Sequence, residues 1–444
     1  MSILIAIALV LCLPIVPRCW RVYSLLPLAV LQIYPPWLTI GQTPVPLALI
    51  VAYAFWPDLL KEAKFLFSNK LIRIILGLSI ITLVSFIWSD DLRLGMVSLN
   101  SFLAFVVVFA GVTSQARVDH RWIVRGLTAM YIASLGLAAS VVAFHFAPTA
   151  KILYLNTDLA TWFINSNGLK GLFLDGRNNV FDPDKSGGFA FVNANAASTF
   201  LGMVSMIALG SSRAYRCPSH FVVTVLLLVA VSFTGSKAGM LLIFPLLAFF
   251  FLWKLEKKVR GSVVILVLQG ALMLFLFVKI VGFGASSTAS PTLNSQISDT
   301  ADTRFQIWGF AAQMFIRDPI LGQGFGGWQI AFPAYARFAG VPTDLPPHNT
   351  FIYLWSESGL IAAALGIAFV ARLLKRAIYH MSNSDAEAKG LGAMLALTYL
   401  WLLVQGFGEN QGLIGDVHMQ PVLATVLAIF TVRAAAKPAK AAHA

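Results

Sequence analysis

Between Asp299 and Leu360 a mostly apolar chain turns polar, aromatic and rich in Gly and Pro. Three side chains in this stretch could do chemistry. Arg304 can hold an anion, and the imidazole of His348 can take a proton near neutral pH. Glu357 would place a carboxylate about 12 Å into an apolar helix, at 1.5 Å rise per residue, and an ionisable group at that depth marks a functional site. Asn349 is a natural helix N-cap, so His348 stands at a helix N-terminus, where the dipole favours anions. Upstream, Ser236 and Lys237 follow a minimal turn after an apolar run. Lys237 reads either as an interfacial lysine anchoring a helix end or as an anion contact at a helix start.

The elements that must position these groups are membrane helices. A 444-residue chain with 58% apolar and 11% charged residues and a mean hydropathy of +0.79 departs from soluble domains, which carry about 25% charged residues. Apolar runs long enough to cross about 30 Å of hydrocarbon recur along it. The expected spans are 2–16, 23–40, 43–56, 70–88, 94–113, 122–146, 190–210, 220–233, 238–253, 262–284, 350–370, 388–404 and 420–434. That makes twelve or thirteen crossings, since 1–40 need not cross twice. Gly41-Gln42-Thr43-Pro44 reads as a tight turn between two helices. Met1 to Val16 has no basic flank and no small-residue cleavage pattern, so it is expected to be retained as a span.

Net charge of +13 would suit nucleic acid, but its placement argues for a membrane. Most of the Lys and Arg fall in loops that share one side if the spans alternate: Arg18/Arg21, Lys61/Lys64/Lys70/Arg73, Arg117/Arg121/Arg125, Arg213/Arg216, Lys254/Lys257/Lys258/Arg260, Arg372/Lys375/Arg376/Lys389 and Arg433/Lys437/Lys440. The positive-inside rule assigns that side to the cytoplasm. Cys19 and Cys217 fall there as well, in keeping with reduced thiols, and the three cysteines show neither metal spacing nor a disulfide framework. The opposite side receives two long segments without a basic excess. The chain therefore divides into N-terminal transmembrane helices (1–146), a first outer loop (147–189), central transmembrane helices (190–284), a large outer loop (285–349), and C-terminal transmembrane helices with a basic tail (350–444).

Within the outer segments several motifs have plain readings. Asp182-Pro183-Asp184 resembles a metal-binding D-x-D, but Pro between two Asp is a common turn. Gly322, Gly324, Gly326 and Gly327 form a turn with no preceding strand, so the dinucleotide-binding reading fails on context. Asp302 or Thr303 is expected to cap a helix starting at Arg304. Its apolar stripe of Phe305, Trp308, Ala312, Phe315 and Ile316 would lie on the membrane surface, with Trp308 at headgroup level. Glu409 and Asp416, in the last outer loop, are expected to line the same cavity as Glu357.

The motifs together resemble a family. TGSKAG after a span, R-x3-W in RFQIW, D-P-I-L-G-x-G-F-G-G-W and P-H-N-T-F-I-Y-L-x-x-E-S-G-L look like the signature region of the O-antigen ligase and polymerase family of bacterial inner-membrane glycosyltransferases, and GGFAFVNANAAS is similar to its upstream segment. The resemblance implies an all-α, C-type glycosyltransferase fold of about a dozen helices with a large periplasmic loop. It implies a metal- and cofactor-independent enzyme using glycans on undecaprenyl diphosphate. Arg304 and Lys237 would hold the lipid diphosphate and His348 would act on the acceptor hydroxyl, with Asn349, Glu357 and Ser236 nearby. The family often has Arg where Lys237 stands. Lys lacks the bidentate fork, so Arg177 or Arg337 would supply it if a fork is required. The favoured member is a ligase delivering the glycan to lipid A-core; a polymerase joining lipid-linked repeat units is the alternative. A transporter or flippase of lipid-linked sugars differs in class. Transporters usually carry internal repeats and broken helices at mid-membrane, and no such repeat is evident here.

Overall fold

The computed structural model describes residues 2–40, 43–166, 168–169, 182–240, 242–243, 293–343, 345–382, 385–406 and 412–435. Over these the chain is helical apart from one two-residue hairpin. The order is α1 (Ser2–Cys12), α2 (Arg18–Leu31), β1 (Thr39–Ile40), β2 (Thr43–Pro44), α3 (Leu47–Tyr53), α4 (Trp56–Ser68), α5 (Lys70–Ser85), α6 (Leu92–Val118), α7 (Arg121–Phe146), α8 (Pro148–Leu155) and α9 (Asp158–Phe163). Then come α10 (Ala194–Ala214), α11 (Pro218–Ser232), α12 (Leu293–Arg317), α13 (Gly327–Ala339), α14 (Thr350–Met381), α15 (Ala386–Gly406) and α16 (Met419–Ala435).

Six helices among the described residues are long and apolar enough to cross a membrane: Lys70–Trp88, Leu92–Val118, Arg121–Phe146, Ala194–Ala214, Thr350–Met381 and Ala386–Gly406. Each coincides with an expected span. Leu4–Ile15, Pro218–Ser232 and Met419–Arg433 are shorter apolar helices. The expected span 262–284 and most of 238–253 lie outside the described residues. The segment 43–56 is not a span. Its helix is only the seven residues of α3, about 10 Å at 1.5 Å per residue. Pro46 delays its start and Trp56-Pro57 begins α4 anew. The Thr43-Pro44 link is likewise a strand pairing, Thr39 with Pro44 and Ile40 with Thr43, rather than a turn between helices.

Local chemistry sets many of the helix starts. Asn69 Oδ1 accepts from Leu71 N at 3.0 Å, Asp91 Oδ1 from Arg93 N at 2.9 Å, and Asn193 Oδ1 from Asn195 N at 2.8 Å. Each satisfies amides that a helix start leaves without an intrahelical partner. Inside the bundle α10 and α15 pack backbone to backbone. A Cβ on Gly202 would collide with the Trp401 indole, and one on Gly210 with the Met394 backbone. Such small residues let membrane helices approach closely, and Trp401 Nε1 donates to Thr199 O at 3.0 Å across that seam.

Among the described residues, basic loops meet at one end of the bundle, while Lys254, Lys257, Lys258, Arg260, Lys437 and Lys440 lie outside them. Arg18 pairs with Asp58 at 2.6 Å, Arg117 with Glu62 at 2.5 Å, and Arg433 with Glu387 at 2.7 Å. The signature segments gather at the other end of the spanning helices.

Candidate active site

The site is built on α12, the turn after it, α13 and the start of α14. α12 begins at Leu293, not at Arg304, so Asp302, Thr303 and Arg304 sit inside the helix rather than at its start. The low helix propensity of Asp and Thr is overridden here by tertiary context. The buried stripe of α12 also differs from the expected one. Ile307, Phe310, Ala311 and Met314 pack against Trp328 and Phe332 of α13, whereas Phe305, Phe315 and Ile316 face outward. α12 thus has two apolar faces, and periodicity alone could not say which meets protein.

Three indoles fix the loop by donating to backbone carbonyls: Trp308 Nε1 to Pro347 O at 3.2 Å, Trp328 Nε1 to Leu345 O at 3.0 Å, and Trp355 Nε1 to Pro319 O at 3.0 Å. Trp308 is partly buried and serves as one of these staples. The rings beneath are close-packed. Phe310 stacks on Tyr335 at 4.7 Å between centroids, and Trp328 on Phe332 at 5.1 Å.

The Gly-rich turn closes a break in α14. Gly359 has φ 82° and ψ 178°, which interrupts the helix. The groups freed there are taken up by the turn: Gln323 N donates to Ser356 O at 2.7 Å, and Leu360 N donates to Ile320 O at 2.9 Å. Gly322 (φ 71°) passes so close that a Cβ would strike the Trp355 carbonyl. The far side of the turn docks on the loop before α6, where Asp91 N donates to Phe325 O at 2.7 Å. The D-P-I-L-G-x-G-F-G-G-W segment is therefore a backbone lock between two elements rather than a phosphate cradle.

On this frame Arg304 and His348 come together, near enough that the guanidinium charge acts on the imidazole. Burial first, and then Arg304, push the His348 pKa down from 6.5 to about 4. His348 adopts a left-handed backbone, φ 48°, which is uncommon for a non-glycine residue. Strain of that kind concentrates at functional sites. Asn349 does act as the N-cap, accepting from Phe351 N at 3.0 Å and Ile352 N at 3.1 Å. Thr350 Oγ1 ties the same corner to Gly406 O at 3.2 Å.

Glu357 lies two turns further in, 4% exposed, with Oε1 lacking a hydrogen-bond partner. The Tyr353 hydroxyl is its neighbour, and Asp91 is within electrostatic reach. Lys237 opens a helix at the Thr234-Gly235 turn, and that turn is anchored elsewhere: Ser186 N donates to Thr234 O at 3.0 Å, and a Cβ on Gly235 (φ 76°) would strike Asp184 O. Ser236 is buried and its Oγ faces Gly239 N at 3.4 Å, so it shapes the turn. Arg337 sits exposed on the last turn of α13, off the face formed by Trp328, Phe332 and Ala336. Arg177 and Glu409 lie outside the described residues. Asp416 accepts from His418 N and Met419 N at 3.0 and 2.9 Å and starts α16.

Sequence reasoning missed Lys151. It is 4% exposed, and its Nζ donates to Asp182 O at 3.0 Å and Lys185 O at 2.8 Å. Asp182 Oδ1 meanwhile accepts from Asp184 N at 3.0 Å, so the D-P-D segment is a turn, and Lys151 staples it beneath the Lys237 loop. A lone lysine in a short helix after a span gives no sequence signal for such a role.

The architecture defines an all-α membrane protein with its polar, chemically equipped residues at one end of the bundle. Residues 222–367 match the family model described as O-Antigen ligase. That stretch, which holds Lys237, Arg304, His348 and Glu357, is what the chain shares with the O-antigen ligase family. No curated protein matches the chain.

Proposed function

We propose that this protein is an O-antigen ligase-type glycosyltransferase of the bacterial inner membrane, a multi-pass protein of about a dozen helices with its site facing the periplasm. It moves a glycan from undecaprenyl diphosphate to lipid A-core. The observation that carries the reading is the pairing of Arg304 with His348 at the start of a spanning helix, inside the matched family segment. In the reaction an acceptor hydroxyl oxygen attacks the anomeric carbon, the bond from that carbon to the diphosphate oxygen breaks, and undecaprenyl diphosphate leaves with the electron pair. Arg304 and Lys237 stabilise the departing charge, each contact contributing about 1.5–3 kcal/mol, in the manner of preorganised electrostatic catalysis. The imidazole of His348 takes the hydroxyl proton.

The depressed pKa keeps His348 neutral but makes it a weak base in the donor-free protein. A diphosphate beside Arg304 offsets the cation that helps to depress it. Donor binding thus raises His348 towards the range where general-base help is worth about 10²–10⁴ in rate. The chemistry calls for no metal and no cofactor.

The test is a transfer assay in liposomes with a lipid-linked glycan, with and without lipid A-core, with and without EDTA. Product only with lipid A-core, insensitive to EDTA, is the expected result. A ladder without lipid A-core would make the protein a polymerase joining undecaprenyl-diphosphate-linked repeats, the second reading that the same family supports. No product, but movement of the lipid-linked sugar across the bilayer, would replace both with a flippase.

A further inference from the structure

At the basic end of the bundle a cavity of about 380 Å³ opens between the α4–α5 junction, the end of α14 and α16. Lys70, Arg372 and Arg376 line it together with Ser68, Asn69 and Thr431, and no carboxylate does. The contrast with the rest of this end is informative. Arg18, Arg117 and Arg433 each meet an acidic partner, while among the described residues Lys70, Arg372 and Arg376 are in no ion pair. Three cations gathered at one opening repel each other unless an anion enters. Arg376 lies over the Phe430 ring at 5.5 Å, a contact that helps to hold its guanidinium at the opening. The floor carries an unused polar group: Thr431 is 3% exposed and its Oγ1 has no hydrogen-bond partner. The α5 N-terminus, whose dipole attracts anions, begins at the same wall.

We propose that this cavity is a second, non-catalytic site for a phosphate group, held by Lys70, Arg372 and Arg376 with Thr431 as a hydroxyl donor. It is distinct from the Arg304–His348 site. Arg372 and Arg376 stand 22–26 residues into α14, whose first residue follows Asn349. Counted from the Gly359 break, they lie 13–17 residues on, about 20–26 Å along the second half of the helix. A cavity of this volume fits a phosphodiester headgroup, and basic pockets between transmembrane helices on the cytoplasmic side suit anionic lipids. A soluble phosphate ester carries the same chemistry.

Purified protein in a neutral detergent, titrated in separate arms with phosphatidylglycerol, phosphatidylcholine and sodium pyrophosphate, separates the sources. Thermal unfolding and native mass spectrometry are the readouts. Phosphatidylglycerol is expected to raise the melting temperature by several degrees and to remain bound on desolvation; pyrophosphate raising it instead would assign a soluble ligand to the same site. In either case the Arg372→Gln/Arg376→Gln variant should lose the shift. Thr431→Val, which removes a hydroxyl that has no hydrogen-bond partner in the fold, should weaken binding several-fold. A shift equal for phosphatidylcholine, no shift in any arm, or shifts unchanged in both variants would overturn the proposal.

Discussion

Trp308 Nε1 donates to the Pro347 carbonyl at 3.2 Å, joining the helix that carries Arg304 to the residue just before His348. Trp308 lies one helical turn beyond Arg304, so the cation and the staple share a face of α12. The Arg304–His348 pairing is therefore set by an indole at a third position. Trp308→Phe keeps the ring and removes the donor. The transfer rate is expected to fall about tenfold or more, equivalent to about 1.4 kcal/mol or more of barrier, while the protein still purifies as a monodisperse species. An unchanged rate would separate the staple from the chemistry.

His348→Ala should abolish transfer, a loss on the order of 10²–10⁴, with expression and membrane insertion intact. The pH behaviour is more discriminating. In the donor-free protein the imidazole protonates only near its pKa of about 4, so the acid limb of kcat/KM belongs there. The limb of kcat, which reports the donor complex, should lie higher. In Arg304→Gln the kcat/KM limb should move up, but only part-way, because burial is the larger cause of the shift. A limb that ignores Arg304 would dissolve the coupling.

The same shift sets a stability trend. His348 has a folded pKa of about 4 against 6.5 for an ordinary histidine, so between these values the unfolded chain binds the extra proton. Its contribution to stability is complete above about pH 6.5, declines as pH falls to about 4, and is flat below. His348→Gln should flatten that part of the melting-temperature profile between pH 6.5 and 4. A profile identical to wild type would place the titration elsewhere.

The lock between the Gly-rich turn and the α14 break makes two glycines irreplaceable. Gly322→Ala and Gly359→Ala each force a side chain into a left-handed backbone, at about 1–3 kcal/mol, and against a facing carbonyl. Both variants should melt well below wild type. Gly309→Ala is the control, with nothing within 4 Å of the added methyl; in a helix interior it should be neutral or stabilise by about 0.5–1 kcal/mol. Equal effects at all three positions would remove the lock.

Sidedness has a direct test. In a variant lacking Cys12, the thiols of Cys19 and Cys217 should resist a membrane-impermeant maleimide in intact spheroplasts and react after permeabilisation. A cysteine introduced at the exposed Arg337 should react in both. The opposite pattern would invert the topology and place the site on the wrong face for a periplasmic enzyme.

Composition and local pattern carry part of this architecture unaided. Runs of apolar residues define the spanning helices because hydrocarbon leaves the backbone no other partners. Basic clusters such as Arg117 and Arg433 mark one end of the bundle, and Asn349 caps α14 because a short amide side chain reaches the next amides whatever surrounds it. The motifs R-x3-W and P-H-N-T carry the resemblance to a family and point to the residues to watch. Packing in three dimensions settled which face of α12 is buried, since both faces are apolar and the choice depends on Trp328 and Phe332, which belong to a different helix. It alone turned Gly359 into a helix break closed by Ile320 and Gln323, because those hydrogen bonds join segments with no local reason to meet. It also set the neutral state of His348, since a pKa is fixed by burial and by a charge that is 44 residues away in the chain and adjacent only in space.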